Sequence, residues 1–161
     1  MRDAEFERLF QEHAQGVFGY LAYRLGDHAL AQDLVADTFE RVLRSRRRFD
    51  PRRGSAKSWI YAIALNVLRD HQRRIAAEAR ALDRATVPGE GTPQAMEDAI
   101  GARDYVARAL VVLSDQEREA VALRYGGDLT VPEIAKLTGE RETTVEGRVY
   151  RALRKLRDVA E

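Results

Sequence analysis

Thr130-Val131-Pro132-Glu133-Ile134-Ala135-Lys136-Leu137-Thr138-Gly139-Glu140-Arg141-Glu142-Thr143-Thr144-Val145-Glu146-Gly147-Arg148-Val149-Tyr150 is the stretch whose reading decides the fold. Thr130 and Glu133 have the spacing of a capping box, in which each side chain satisfies the other residue's free backbone donor. Pro132 falls in the first turn, where a missing N–H costs nothing. Ile134 and Ala135 supply the buried side of a short helix, and Gly139 ends it, because the sharp turn that follows requires a positive φ. Val145 and Val149 mark the buried side of a second helix. This is helix-turn-helix spacing, with small Ala135 where the helices cross closely and Val145 filling the angle between them. The second helix leaves Thr143, Thr144, Glu146, Gly147, Arg148 and Arg151 for the major groove of duplex DNA or its flanking phosphates. Arg is the side chain best matched to guanine edges and phosphate.

The same spacing occurs in an ordinary helical hairpin with a Gly turn, so the flanking sequence matters. Downstream, Arg148, Arg151, Arg154, Lys155 and Arg157 extend the second helix as a basic face with only Glu146 opposing. Upstream, Ser114-Asp115-Gln116-Glu117 is another capping box, opening a helix that runs to about Tyr125 and ends at Gly126-Gly127. Ala95 to Leu113 carries a further helical pattern.

In the first half, Phe6, Leu9, Phe10, Val17, Phe18, Leu21 and Leu25 recur at three- and four-residue steps and predict a helix that stops near Gly26. Asp27 starts the next, with Ala31, Leu34, Val35, Thr38, Phe39, Val42 and Leu43 on its apolar side. The Arg46-Arg47-Arg48 cluster and Asp50-Pro51 close it. Asp50 to Ser55 reads as a basic loop. Trp59, Ile60, Ile63, Ala64, Val67 and Leu68 line a third amphipathic helix, with Arg69, Arg73 and Arg74 on its other faces. Trp59 has the phase of the core, whereas Tyr61 is off that phase and is the better candidate to stack on a base. Between about Ala76 and Thr92 the periodicity dissolves, and Val87-Pro88-Gly89 suits neither helix nor strand. About 15 loose residues there could stretch to about 50 Å.

The expectation is an all-α chain of two small helical domains: an N-terminal bundle of three to four helices over 1–75, a flexible linker over 76–94, and a C-terminal helix-turn-helix unit over 95–161. The formal net charge of +1 over 161 residues hides an uneven distribution. Residues 1–40 hold eight Asp/Glu against three Arg, whereas 41–57 hold seven Arg and Lys57 against Asp50 alone. Two separate anion-binding surfaces follow from the two basic runs. The absence of cysteine excludes disulfides, thiolate nucleophiles and the common structural zinc sites. His13, His28 and His71 have no metal-binding spacing. No phosphate-loop or nucleophile-elbow motif is present, so no metal, cofactor or enzymatic activity is expected. No apolar run approaches the roughly 20 residues of a membrane span, and Met1 to Phe10 is amphipathic rather than signal-like. A cytoplasmic protein without membrane insertion is expected.

Ser58-Trp59-Ile60-Tyr61-Ala62-Ile63-Ala64-Leu65-Asn66-Val67-Leu68-Arg69-Asp70-His71-Gln72-Arg73-Arg74, preceded by Gln32-Asp33-Leu34-Val35-Ala36-Asp37-Thr38-Phe39, resembles region 2 of the sigma-70 family. Leu113 to Leu156 resembles region 4, with Thr144-Val145-Glu146-Gly147-Arg148 heading the promoter-reading helix. Nothing in the chain resembles regions 1 or 3, a plan similar to the extracytoplasmic-function group. The resemblance implies a factor that binds core RNA polymerase and directs promoter-specific transcription initiation. Its second helix, through Asp33, Leu34, Asp37, Thr38 and Arg41, would dock on the polymerase. Arg52, Arg53, Gly54, Ser55, Lys57, Tyr61, Asn66, Asp70, Arg73 and Arg74 would hold the single-stranded −10 element and capture a flipped base. Thr143, Thr144, Glu146, Gly147, Arg148, Arg151 and Arg154 would bind the −35 element as duplex. An anti-sigma factor is a further implied partner. Two positions depart from the family's pattern. Glu146 stands where Lys or Arg is frequent, and a carboxylate repels phosphate but accepts from cytosine's amino group. Gly147 replaces a frequent Ser, which removes a hydroxyl contact. The competing reading is a helix-turn-helix regulator that acts without core polymerase.

Overall fold

The computed structural model describes residues 2–85 and 111–160. Among them every regular element is helical. In the N-terminal unit, α1 (Asp3–Leu25), α2 (His28–Ser45) and α3 (Ala56–Ala85) form a bundle, with a 3-10 turn at Arg46–Arg48. In the C-terminal unit, α4 (Asp115–Val121) widens into a π-helical turn (Ala122–Gly126), followed by α5 (Val131–Thr138) and α6 (Glu142–Ala160). The pattern expected over 95–110 lies outside the described residues. No helix among the described residues is long and apolar enough to cross a membrane.

The helix ends follow from side-chain chemistry. Gly26 closes α1 at φ 66°, donating its N–H to Ala22 O, and the Asp27 carboxylate then accepts the Leu30 N–H at 3.1 Å to open α2. Ser55 Oγ accepts the Ser58 N–H at 3.1 Å at the start of α3. Both capping boxes read from the sequence are formed: Ser114 with Glu117 and Thr130 with Glu133. Gly139 ends α5 at φ 71°.

α3 is longer than the sequence pattern implies, and residues 76–85, expected as linker, are helix. Every side chain from Gln72 to Arg84 is exposed, so no buried stripe marks this half of α3. Its composition favours the helix, because Ala, Glu, Arg and Leu have the highest intrinsic helix propensities. The helix expected to reach Tyr125 is α-helical only to Val121. There the widened turn lets Gly127 N–H reach Ala122 O at 2.8 Å and Leu129 N–H reach Leu123 O at 3.0 Å.

The units share one hydrophobic core. Val17, Leu21, Ala31, Leu34, Val42, Ile60, Ala64 and Leu68 fill the bundle, and Leu123, Leu129, Ile134 and Val145 continue the same cluster into the C-terminal unit. Trp59 packs against this core beside Phe49, with ring centroids 5.0 Å apart, as its phase predicts. The closest approach is backbone on backbone. A Cβ placed on Gly19 of α1 would overlap the carbonyl of Gly126 in the π-helical turn, and one on Gly126 would overlap the carbonyl of Gly19. A Gly19→Val chain is therefore expected to keep its helical circular dichroism but lose the packed arrangement, read as a larger radius of gyration in small-angle scattering. An unchanged radius would show that the two backbones can yield to a side chain.

Candidate nucleic-acid interface

α2 and α3 carry the first group of candidate residues. Asp33 and Asp37 are exposed on α2, and Arg41, beside them, reaches Asp70 of α3 at 2.9 Å. Leu34 and Thr38 are not part of that surface. Leu34 is 2% and Thr38 0% exposed, and the Thr38 hydroxyl donates to Leu34 O at 2.7 Å, so both belong to the core rather than to a docking face. Leu34 and Thr38, four residues apart, share the inner side of α2 with Ala31 and Val42, whereas Asp33 and Asp37, also four apart, share the outer side.

Asn66 is exposed on α3, and Asp70, Arg73 and Arg74 follow at helical steps toward its exposed half. A shallow groove between α2 and α3 gathers Asp37, Glu40, Arg41, Asp70, Arg73 and Arg74. Side chains that the family resemblance divides between polymerase and the −10 element thus lie along one surface. Arg52 and Arg53 are exposed in the loop, where the Asp50 carboxylate accepts the Arg52 N–H at 3.0 Å. Gly54 has open space around it, and the Ser55 hydroxyl is occupied in capping α3.

Tyr61 and Lys57 face the other unit. Tyr61 is 1% exposed and its hydroxyl donates to Gly127 O at 3.0 Å, so in this packed arrangement its ring is not free to stack on a base. Tyr61 is off the phase of Trp59, Ile60 and Ile63, but that side of α3 is covered by the C-terminal unit. Burial, with Glu133 and Asp128 nearby, pushes its hydroxyl pKa well above the ordinary tyrosine value. Lys57 Nζ lies 3.2 Å from Glu133 Oε2. On the same side, Tyr20 donates to Glu119, which is also paired with Arg24 at 3.2 Å.

On α6, Thr143, Thr144, Glu146, Arg151 and Arg154 are exposed. Gly147 lies beneath the guanidinium of Arg151, whose Nη1 would be 3.2 Å from an added Cβ. Arg148 is turned aside: its Nη1 lies 2.7 Å from Glu140 Oε1 and 2.6 Å from Oε2, and its side chain is 18% exposed. Tyr150, at 66% exposure, shares the outward face with Thr143, Gly147 and Arg154, and its position seven residues after Thr143 is the signal that identifies it. Lys155 is drawn from the basic run into structure. Its Nζ lies 2.7 Å from the buried carboxylate of Glu117, which also accepts the Ser114 N–H at 2.9 Å.

Model matching places residues 9–78 with Sigma-70 region 2 and residues 103–156 with Sigma-70, region 4. The chain belongs to the sigma-70 family. It is 36% identical over 157 residues to the RNA polymerase sigma factor CarQ of Myxococcus xanthus, covering 96% of this chain and 88% of CarQ. It is 29% identical to the ECF RNA polymerase sigma factor SigL of Mycobacterium tuberculosis, over 92% of this chain and 85% of SigL. In structure it is similar to CnrH, solved with the cytosolic domain of CnrY, at a TM-score of 0.68 and 27% identity over 99% of this chain and 89% of that one. The fold also matches the sigma factor RpoE from Bartonella quintana, solved with the anti-sigma factor NepR, at a TM-score of 0.75 and 22% identity over 97% and 96% of the two chains. Within the family, the chain is a sigma factor of the extracytoplasmic-function group and acts in promoter-specific transcription initiation.

Three carboxylates of the region 4 unit are held below the ordinary range: Glu117 chiefly by Lys155, Glu140 chiefly by Arg148, and Glu133 chiefly by the Thr130 N–H. Lowered folded-state values contribute stability that is complete above the ordinary carboxyl pKa of 4.5 and is lost as pH falls through the lowered values. Glu117→Gln is expected to cost about 1–3 kcal/mol at pH 7 and less at pH 3. Urea midpoints at the two pH values measure this, and an equal cost at both would refute the ionic contribution.

Proposed function

We propose that region 2 engages core RNA polymerase and the opened −10 strand through the groove between α2 and α3, and that region 4 reads the −35 duplex with the outward face of α6. The supporting observation is the juxtaposition in that groove of acidic Asp37 and Glu40 with basic Arg41, Arg73 and Arg74, beside exposed Asn66. Asp33, Asp37 and Arg41 suit polymerase docking. Asn66, Asp70, Arg73 and Arg74, with Arg52 and Arg53 of the basic loop, suit a strand whose phosphates need cations and whose flipped base needs a polar edge. Thr143, Glu146, Gly147, Tyr150, Arg151 and Arg154 suit a major groove. The functional units in this reading are residues 1–75 and 95–161, and the chain works as a binding factor in the cytoplasm rather than as an enzyme.

The contact at Tyr61 and Gly127 holds the two proposed DNA-reading surfaces together, and we assign this packed arrangement to the factor before it engages a promoter. CnrH and the Bartonella RpoE are each solved with a protein partner. For this chain we propose an anti-sigma factor that selects the packed arrangement.

The test is reconstitution with core polymerase on a promoter library, followed by run-off transcription. Promoter-dependent transcript is expected. Core binding without transcript would favour a sequestering role, and tight duplex binding as a dimer without polymerase would favour an ordinary repressor. Asp37→Arg is expected to lower core affinity, whereas Asn66→Ala is expected to leave core affinity intact and reduce strand opening about tenfold, as for loss of a contact worth about 1–3 kcal/mol. Permanganate reactivity of the −10 thymines separates the two effects.

A further inference from the structure

The basic face of α6 is not uniform. Its buried side is Val145, Val149 and Ala152, its outward side is Thr143, Gly147, Tyr150 and Arg154, and Arg148 lies on the flank between them. Arg148 does not point away from the protein. It meets both carboxylate oxygens of Glu140 and, with Glu140, borders the cleft where Arg24 and Arg69 of region 2 face region 4.

Glu140 belongs to the turn of the helix-turn-helix. It follows Gly139, the residue at positive φ, and its N–H donates to Ala135 O at 3.0 Å, so its backbone is anchored to α5. The bond from Glu140 to Arg148 therefore ties the end of α5 to a point two turns into α6. The angle between those helices decides how deeply α6 enters a major groove. Both partners are largely covered, at 29% and 18% side-chain exposure, and Arg148 holds the Glu140 carboxyl below its ordinary range, which keeps the pair charged.

We infer that Arg148 is a positioning residue for duplex recognition: bonded to Glu140 across the turn, it sets the presentation of α6 and leaves contact with the DNA to the outward face. The inference rests on α6 being the −35 reader. It runs against the simplest use of an arginine at the head of a recognition helix, which is to meet a phosphate or a guanine. Those two roles have different salt signatures, because each phosphate contact contributes about 0.9 to the slope of log K against log salt.

The experiment uses holoenzyme assembled from the full chain and core polymerase, on a promoter duplex recovered from a library randomised across the −35 element. Binding is measured over a potassium chloride series. Arg148→Ala is expected to weaken binding about tenfold with an unchanged salt slope, and to lose nothing further when combined with Glu140→Ala. The exchange Glu140→Arg with Arg148→Glu rebuilds the bond in reverse and is expected to restore binding to within about threefold of the original chain. A slope reduced by about one unit in Arg148→Ala, or failure of the exchange to restore binding, overturns the inference. So does an unaltered affinity in Arg148→Ala. If the unmodified holoenzyme ignores the −35 sequence altogether, it is the reading of α6 that fails, a result distinct from any of these.

Discussion

Midway along the molecule the backbones of α1 and the π-helical turn meet at Gly19 and Gly126 with no side chain between them. The surrounding contacts depend on that approach. It brings Gly127 O within reach of Tyr61, sets Glu119 against Tyr20 and Arg24, and lets Leu123 and Leu129 enter the core built by α1 and α3. A methyl group on either glycine would separate the backbones, and the polar contacts around them are too short in reach to follow. The widened turn is part of the same constraint, since it carries Gly126 out of a regular helical path to the point of contact.

The buried polar groups along this contact divide into two sorts. Tyr20 and Tyr61 are neutral donors that burial keeps protonated, each bonded to an acceptor across the interface. Arg24, with 7% of its side chain exposed, is a charge that Glu119 pairs at 3.2 Å. A buried charge left alone is costly, so Arg24 favours the packed arrangement only while Glu119 is present. Within region 4, Glu117 has the corresponding place: one carboxylate serves a helix cap and the Lys155 ammonium together, joining α4 to α6.

Much of this was legible in the sequence, and the exceptions have physical causes. The capping boxes at Ser114 and Thr130, the turn at Gly139 and the buried Val145 were readable because each rests on chemistry within a few residues. The exposed half of α3 was not, because it has no buried apolar period to find. The placement of Tyr61 and Lys57 was hidden for another reason: their partners, Gly127 and Glu133, lie 66 and 76 residues away, and no local pattern encodes them. Leu34 and Thr38 have the phase of Ala31 and Val42 and read as the apolar side of α2, and it was the family resemblance that also drew them to the docking face. The pairing of Arg148 with Glu140 was not legible either, because it reaches across the turn between two helices.

The contact between the units joins two parts of one chain, and that changes how it responds to its surroundings. In the opening proposed above, closure is a unimolecular equilibrium governed by an effective concentration within one chain, and not by how much protein a cell contains. Dilution does not open such a molecule, and raising its abundance does not close it. Only a ligand that binds one state better than the other can move the balance, by no more than its difference in affinity for the two. The solvent-exposed half of α3 enters this proposal as geometry. At 1.5 Å per residue it carries the chain about 20 Å beyond the bundle before α3 ends at Ala85.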